Sequence, residues 1–360
     1  MVPFKRLVII GGHLAPALAV IEEIRRRGGW DVFWLGRRFA MEEGKVPALE
    51  YEVIKKLGIP FFVLATGRLQ RPLSIKTIFS LLRVIPGFFM ALFTIARLRP
   101  DVVLSFGGYL SFPVVFACYI LRIPILIHEQ TTTSGLANRI AAYFAKKIAI
   151  SFPSSILDFP REKVILTGNP IRRTILKIKR KSPKIPLIYV TGGSQGSQTI
   201  NRALSPILSK LIKRFSIIHQ TGFIDYKRFL AKKKKLGRRY RFFSVTGPEE
   251  VARIYQSASL VISRAGANTV SELAAAGLPG ILIPIPWSER GEQEKNARLL
   301  EETGLVRVLP QDKLTSSGLF GMIVDMTKNP PSQKSRNLAR KLIIPDASRR
   351  LVDLLEYLAD

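Results

Sequence analysis

One pattern at the start of the chain restricts the fold more than any other. Residues 7–10 form a short β-rich apolar run, Gly11-Gly12-His13 turns, residues 16–27 carry apolar side chains at helical spacing, and Gly28-Gly29 closes that helix. Residues 32–35 then resume as a strand. Strand, turn, helix, strand is the start of a parallel α/β sheet, because parallel neighbours need a long crossover between them. The alternation returns at 102–105, 125–128 and 147–151 and, after a break, at 187–190, 216–219, 260–263 and 280–284. Two groups of strands in 360 residues predict two α/β lobes. Residues 160–186, rich in Pro, Lys and Arg and without a long apolar period, are the expected linker. From about residue 346, Leu351, Leu354, Leu355 and Leu358 have the spacing of an amphipathic terminal helix.

Hydrophobic residues make up 47% and charged residues 23%, which excludes a disordered or collagen-like chain. The 56 Lys and Arg against 26 Asp and Glu leave +30, so the partner is expected to be anionic: nucleic acid, a phosphorylated substrate or an acidic membrane. The single Cys118 excludes an internal disulfide and a cysteine metal cluster and fits a reducing compartment. Lys5 and Arg6 before an apolar stretch ending in Ala17-Leu18-Ala19 imitate a signal peptide, but Gly11-Gly12-His13 and Pro16 interrupt it, so the segment is expected to be retained. Residues 75–97 are the most hydrophobic stretch, split by Arg83 and broken by Pro86-Gly87, and too short in uninterrupted apolar length to span a bilayer. Two readings stay open: a buried core helix, or an amphipathic hairpin dipping into lipid with Arg68, Arg71, Lys76, Arg83, Arg97 and Arg99 around it. The lysines at 232–235, extended by Arg238, Arg239 and Arg241, read most simply as a solvated helix face or loop.

Gly192-Gly193-Ser194-Gln195-Gly196 lies between a strand and a helix, where glycines admit close approach and unpaired N–H groups meet phosphate. The lysine of a P-loop is absent, which disfavours nucleotide hydrolysis of that class. A second strand-to-helix turn, residues 263–272, presents Asn268 and Thr269 with Glu272 one turn on, a carboxylate suited to a ribose diol. In the first half, Gly11-Gly12-His13, Gly107-Gly108-Tyr109 and His128-Glu129-Gln130 all follow strand C-terminal ends, the ligand edge of open α/β sheets.

The ordered set GGHLAPALAV, SFGGYLSFPVV, PILIHEQ with GLANR, GNPIRR, TGGSQGSQTIN, IIHQTG and SRAGANTVSELAAAGLPGILIPIP resembles the MurG family. These are the UDP-N-acetylglucosamine:undecaprenyl-pyrophosphoryl-N-acetylmuramyl-pentapeptide N-acetylglucosaminyltransferases of bacterial cell-wall synthesis. The resemblance implies a GT-B fold: two Rossmann-like parallel-sheet lobes with a cleft between them and a C-terminal helix crossing back to the first lobe. It sets an acceptor and membrane lobe at 1–163 plus 344–360 and a UDP-sugar lobe at 164–343. By position, Ser194, Gln195 and Gly196 would meet the donor, Arg172 would add a contact, and Ala267, Asn268, Thr269, Val270, Ser271 and Glu272 would cradle diphosphate and ribose. Gln293 would contact the sugar, while Glu292 replaces the first glutamine of the family's pair. Gly11, Gly12, Thr131 and Asn138 are the remaining implied substrate contacts. The chain departs from the family in its first loop, which goes from Ile10 straight to Gly11-Gly12-His13 without a Thr and two glycines. It departs also at Thr131, where Asn is usual, and at Pro248, which has no N–H to offer.

The implied reaction is inverting displacement at the anomeric carbon of N-acetylglucosamine, carried from UDP-GlcNAc to the muramyl sugar of lipid I to give lipid II. His13 is the first candidate for general base because imidazole titrates near neutrality. Glu129 is the second, with His128 orienting it, and Tyr109 completes the implied catalytic set. No tightly bound cofactor or metal is expected, since the chain has no Asp-x-Asp pair; a divalent cation would at most stimulate. Expected partners are UDP-GlcNAc, undecaprenyl-pyrophosphoryl-MurNAc-pentapeptide and anionic inner-membrane lipids, not nucleic acid, at the cytoplasmic face of the cell membrane. The alternatives are another two-lobed UDP-sugar enzyme, a glycolipid glycosyltransferase or an epimerase, and a non-catalytic basic relative that binds membrane or nucleic acid.

Overall fold

A computed structural model describes residues 4–39, 47–64, 84–193 and 195–360, with backbone only at 232–235. It contains two compact units, Met1–Arg172 with Ile344–Asp360, and Arg173–Ile343. In the first, β1 (Lys5–Ile10), β2 (Trp30–Gly36), β3 (Phe61–Val63), β4 (Val102–Ser105), β5 (Ile125–Glu129), β6 (Lys147–Ile150) and β7 (Val164–Leu166) form a sheet ordered β3-β2-β1-β4-β5-β6-β7. In the second, β8 (Leu187–Thr191), β9 (Ser216–Gln220), β10 (Tyr240–Phe243), β11 (Ala258–Ser263), β12 (Gly280–Leu282) and β13 (Val306–Val308) are ordered β10-β9-β8-β11-β12-β13. Every pairing between these strands is parallel. Both orders reverse once, between β1 and β4 and between β8 and β11, the doubly wound topology.

Burial explains the strand order. Leu7, Val8, Ile9 and Ile10 are fully buried in β1, each contributing roughly 1.5–3 kcal/mol by leaving water. The signal-like stretch is thus the centre of the first sheet and the helix packed on it. The four strands with no clear apolar run in the sequence, β3, β7, β10 and β13, are the four sheet edges, three or four residues long and partly exposed. β7 falls inside the expected linker. It pairs with β6 from Ile148 to Val164 onward, so the first unit runs to Arg172 and not to 163. The remainder of that stretch is also docked: Arg180 donates to the carbonyls of Gly277 (3.2 Å) and Ala258 (2.6 Å), and Lys181 N–H to that of Gln256 (2.7 Å).

The helix Val84–Leu98 runs through Pro86 and Gly87, so the break expected there is not one. Pro86 lies in the first turn of that span, where a missing N–H costs no intrahelical bond. Its inner side, Gly87, Ala91, Ile95 and Leu98, is buried. Its outer side exposes Ile85, Phe89 and Phe93 at 58, 62 and 70%. The segment thus has a buried face, as the core-helix reading expects, and an exposed apolar face, while Arg68, Arg71, Lys76 and Arg83 lie outside the described residues. No helix among the described residues is long and apolar enough to cross a membrane.

The terminal helix Ala347–Ala359 returns to the first unit, burying Leu351, Val352 and Leu355 with Leu7, Ile9 and Ile21. Arg27, at the end of helix Leu14–Arg27, holds it by ion pairs to Asp353 (2.7 Å) and Glu356 (2.9 Å) while also meeting Glu23 (3.0 Å). Glu23 is held at about 2, against 4.5, chiefly by its hydrogen bond from Arg26 and then by Arg27, which together outweigh burial. A depressed carboxylate stabilises the fold above its unfolded value, so this contribution is complete above about pH 4.5 and is lost as pH falls towards 2. Arg27→Ala is expected to cost about 1–3 kcal/mol in urea unfolding at neutral pH. Wild type and Glu23→Gln should converge in stability across that acid interval, and parallel curves would remove Glu23 from the account.

Candidate active site

The strand-order reversal between β1 and β4 puts two glycine turns of the first unit side by side. In the first unit Gly11 N–H extends the β1–β2 pairing by donating to Leu35 (2.8 Å). Gly12 lies so close to the next turn that a Cβ would stand 2.4 Å from the Gly107 carbonyl oxygen. Gly107 and Gly108 have φ of +82° and +86°, a region only glycine enters freely. Two turns in contact leave the following residues at the rim. His13 begins helix Leu14–Arg27 with extended backbone, and its side chain caps nothing. Partly exposed, its imidazole is nevertheless held below 6.5 by burial. A neutral ring at physiological pH has a free lone pair for a proton. Tyr109 is partly buried, packed on the first unit's core.

Glu129, at the end of β5, is 2% exposed. One oxygen accepts from the N–H (3.0 Å) and hydroxyl (2.8 Å) of Thr131, the other from the Asn138 amide (2.9 Å). Burial pushes its carboxyl up, and these donors oppose the rise. With both oxygens engaged below the surface, Glu129 holds the turn that follows β5. Thr131 and Asn138, expected to touch substrate, turn inward to hold it; Asn138 Oδ1 alone is left without a partner, beside Gly107. His128 does not orient Glu129. Its Nε2 meets the Gly168 carbonyl (3.0 Å) and its Nδ1 the Gln130 amide (3.1 Å), so Nε2 carries the proton. Burial is the main cause that lowers it to about 4, with His13 adding to the effect. Arg172 is the last residue of the first unit.

In the second unit the turn after β8 is built from its own backbone. Gly193 accepts from Gly196 N–H (3.0 Å) and from the Gln220 amide (2.6 Å), and Gly193 N–H donates to Thr191 Oγ1 (3.0 Å). A Cβ on Gly192 would stand 2.2 Å from Ser197 N, and one on Gly196 2.4 Å from the Thr221 carbonyl. Gln195 is exposed on this turn, and Ser194 lies outside the described residues.

Beneath Gly196 runs a buried chain that sequence reading missed, although the HQTG and QTIN segments contain it. Tyr240 hydroxyl meets His219 Nδ1 (2.8 Å), His219 Nε2 meets Asn201 Oδ1 (2.9 Å), and the Asn201 amide donates to Asp225 (2.7 Å) and to the Thr221 carbonyl (2.8 Å). Burial lowers His219 to about 3, so it stays neutral and donates in one direction. The chain fixes the backbone on which the turn rests.

After β11, Gly266 caps helix Ala267–Ala276 with no side-chain bond and no acid in the first turn, leaving an open, positive N-terminus. At its far end Gly277 is left-handed, and Arg180 and Arg336 donate to its carbonyl. Asn268, Thr269 and Glu272 are partly exposed, whereas Ala267, Val270 and Ser271 are buried; Val270 N–H already donates to Gly266 (3.0 Å), so of those three only Ala267 belongs to the open first turn. The Gln293 side-chain Oε1 accepts from the Ala265 (3.3 Å) and Ile285 (3.2 Å) N–H groups, joining the turns after β11 and β12. Arg264 ties the turn after β11 to the turn after β12 through the Ile283 carbonyl (3.0 Å) and to the segment after β13 through Gln311 (2.8 Å), a role the sequence did not indicate. Pro248 opens helix Pro248–Ser257, where the missing N–H has no helical use. Among the described residues no group of three His, Cys, Asp or Glu could hold a metal ion.

Glycine turns at the switch point of each unit are the ligand edge of such sheets. The N-terminal domain of glycosyltransferase family 28 matches residues 10–150 and its C-terminal domain residues 187–351. The chain is 34% identical, over 98% of its length and 99% of the relative's, to the UDP-N-acetylglucosamine–N-acetylmuramyl-(pentapeptide) pyrophosphoryl-undecaprenol N-acetylglucosamine transferase of Clostridium kluyveri. It is 32% identical to the Halalkalibacterium halodurans protein of the same name, over 97% of each. The chain belongs to the MurG family of glycosyltransferases. The crystal structure of Acinetobacter baumannii MurG covers 98% of this chain and 99% of its own, with TM-score 0.69 and 27% identity. The UDP-GlcNAc 2-epimerase of Neisseria meningitidis, at TM-score 0.63 and 16% identity, shares the fold alone. This MurG-family chain thus has the GT-B class of fold, with two Rossmann-like units.

In this family member the close approach of Gly196 to Thr221 leaves no room for a side chain. Gly196→Ala, which also meets φ of +77°, is expected to weaken UDP binding at least about tenfold in calorimetry. Gly321→Ala, in a helix with open space around the added methyl, should leave UDP affinity unchanged.

Proposed function

We propose that this protein transfers N-acetylglucosamine from UDP-GlcNAc to the muramyl sugar of undecaprenyl-pyrophosphoryl-MurNAc-pentapeptide, converting lipid I to lipid II with inversion. The observation that carries the reading is near full-length identity to transferases of that name, joined to two anion-receptive turns at the switch point of the second unit. The open N-terminus of helix Ala267–Ala276 would stabilise charge growing on the departing UDP, and Glu272 would accept from the ribose hydroxyls. The turn at 192–196 would hold the donor with backbone N–H groups, and the Gln293 amide would donate to the sugar.

In the first unit His13 would take the proton of the acceptor hydroxyl, forming imidazolium as the glycosidic bond forms. Glu129, Thr131 and Asn138 would act through the backbone that they hold. Because a base must be neutral and burial lowers His13, the acid limb of the rate should fall below 6.5. His13→Ala is expected to reduce kcat roughly 10²–10⁴-fold without lowering Tm. The decisive assay mixes purified protein in detergent with labelled UDP-GlcNAc and lipid I and measures lipid II. Conversion of UDP-GlcNAc to its epimer without acceptor would replace the reading by the epimerase one.

The acceptor is a membrane lipid, and we assign docking on anionic lipid at the cytoplasmic face of the cell membrane to helix Val84–Leu98. Ile85, Phe89 and Phe93 project from it at one-turn intervals, with Arg97 and Arg99 at its end. Phe89→Ser with Phe93→Ser should lower partition onto phosphatidylglycerol vesicles at least about tenfold; unchanged partition would discard this face as a docking site.

A further inference from the structure

Helix Phe223–Leu236 contains the lysines at 232–235, whose side chains lie outside the described residues, and carries exposed cations and apolar residues on the rest of its outer face. Helix Phe223–Leu236 buries Asp225, Phe229 and Leu236 and turns Phe223, Ile224 and Leu230 to solvent at 45, 65 and 48% exposure. Lys227, Arg228 and Ala231 are exposed beside them. Between 223 and 241 the sequence has nine basic residues and one acid. That acid, Asp225, is buried and accepts from Asn201, so it offers no neutralising charge outside.

The basic surface extends beyond the helix. Exposed Arg238 precedes β10, the edge strand of its sheet, and exposed Arg241 lies within it. Arg239 donates to the carbonyls of Ile212 (3.3 Å) and Lys213 (3.1 Å), which brings exposed Lys210, Lys213 and Arg214 into the same neighbourhood.

We propose that this outward face of helix Phe223–Leu236, with the basic edge at β10, is a lipid-docking surface of the second unit, separate in its residues from Val84–Leu98. The proposal rests on the lipid-linked acceptor of the reading above. Cations complement anionic headgroups, and three exposed apolar side chains on one helical face gain by entering the acyl boundary. A nucleic acid would satisfy the cations and leave Ile224 and Leu230 without a partner, since aliphatic side chains offer bases no stacking face. An interfacial helix uses both sets.

Full-length protein carrying Phe89→Ser and Phe93→Ser, which removes the first surface, is mixed with vesicles of phosphatidylglycerol and phosphatidylcholine. Lys227→Glu with Arg228→Glu, and separately Ile224→Ser with Leu230→Ser, are each expected to lower the remaining partition at least about tenfold. UDP affinity by calorimetry should stay at the parent value in both, showing an intact second unit. No remaining partition in the parent, or changes within about twofold for both pairs, would overturn the proposal. So would loss of duplex RNA binding in the charge pair with unaltered vesicle binding in the Ile224/Leu230 pair, which would assign the surface to nucleic acid. Lipid II formation in detergent contains no bilayer, so it tests the transferase reading independently of this one.

Discussion

Gly12 against the Gly107 carbonyl, and Gly196 against the Thr221 carbonyl, are contacts that no side chain larger than hydrogen allows. The first joins the turns after β1 and β4, where the strand order of the sheet reverses, and the second joins the turns after the adjacent strands β8 and β9. At a reversal the neighbouring strands send their helices to opposite faces, and the turns that start those helices converge on one edge. A ligand reaches backbone N–H groups there only if the turns are thin. Glycine supplies both the thinness and the left-handed angles at Gly107, Gly108, Gly193 and Gly196. The positions of His13, Gln195 and Asn268 follow from where these turns end.

Polar residues next to the turns divide into those that hold and those that remain available. Glu129 and Asn201 are buried and fully directed, each with several partners inside its own unit. His128 and His219 are neutral for the same reason, since a charged ring in either place would lose solvation without gaining a counterion. His13 shares the chemistry but not the confinement, because its side chain caps nothing. The three histidines of the chain are thus two positioning residues and one candidate base.

The excess of 30 positive charges is distributed by what the few acids do. Glu23, Asp353 and Glu356 gather around Arg27 to fasten the terminal helix, and Asp225 is turned inward. Cations on helix Phe223–Leu236 and the β10 edge consequently meet solvent, where the self-repulsion is offset only by anions from outside.

The central strands, the helices after β1 and β11, the terminal helix and all four glycine turns are legible in the sequence, because each depends on local spacing of apolar residues or on glycine. The edge strands β3, β7, β10 and β13 are not, since a half-exposed strand of three or four residues has no run to read. For the same reason a linker was expected where β7 pairs with β6. Sequence alone determined the parallel α/β class, the residues that can line a phosphate turn and the family that carries them. Only the tertiary structure decided that Thr131 and Asn138 serve Glu129, that His219 supports the turn at Gly196, and that Phe223, Ile224 and Leu230 face water. Those outcomes depend on which side of a helix or strand meets the core, and on partners distant in the chain that local spacing does not specify.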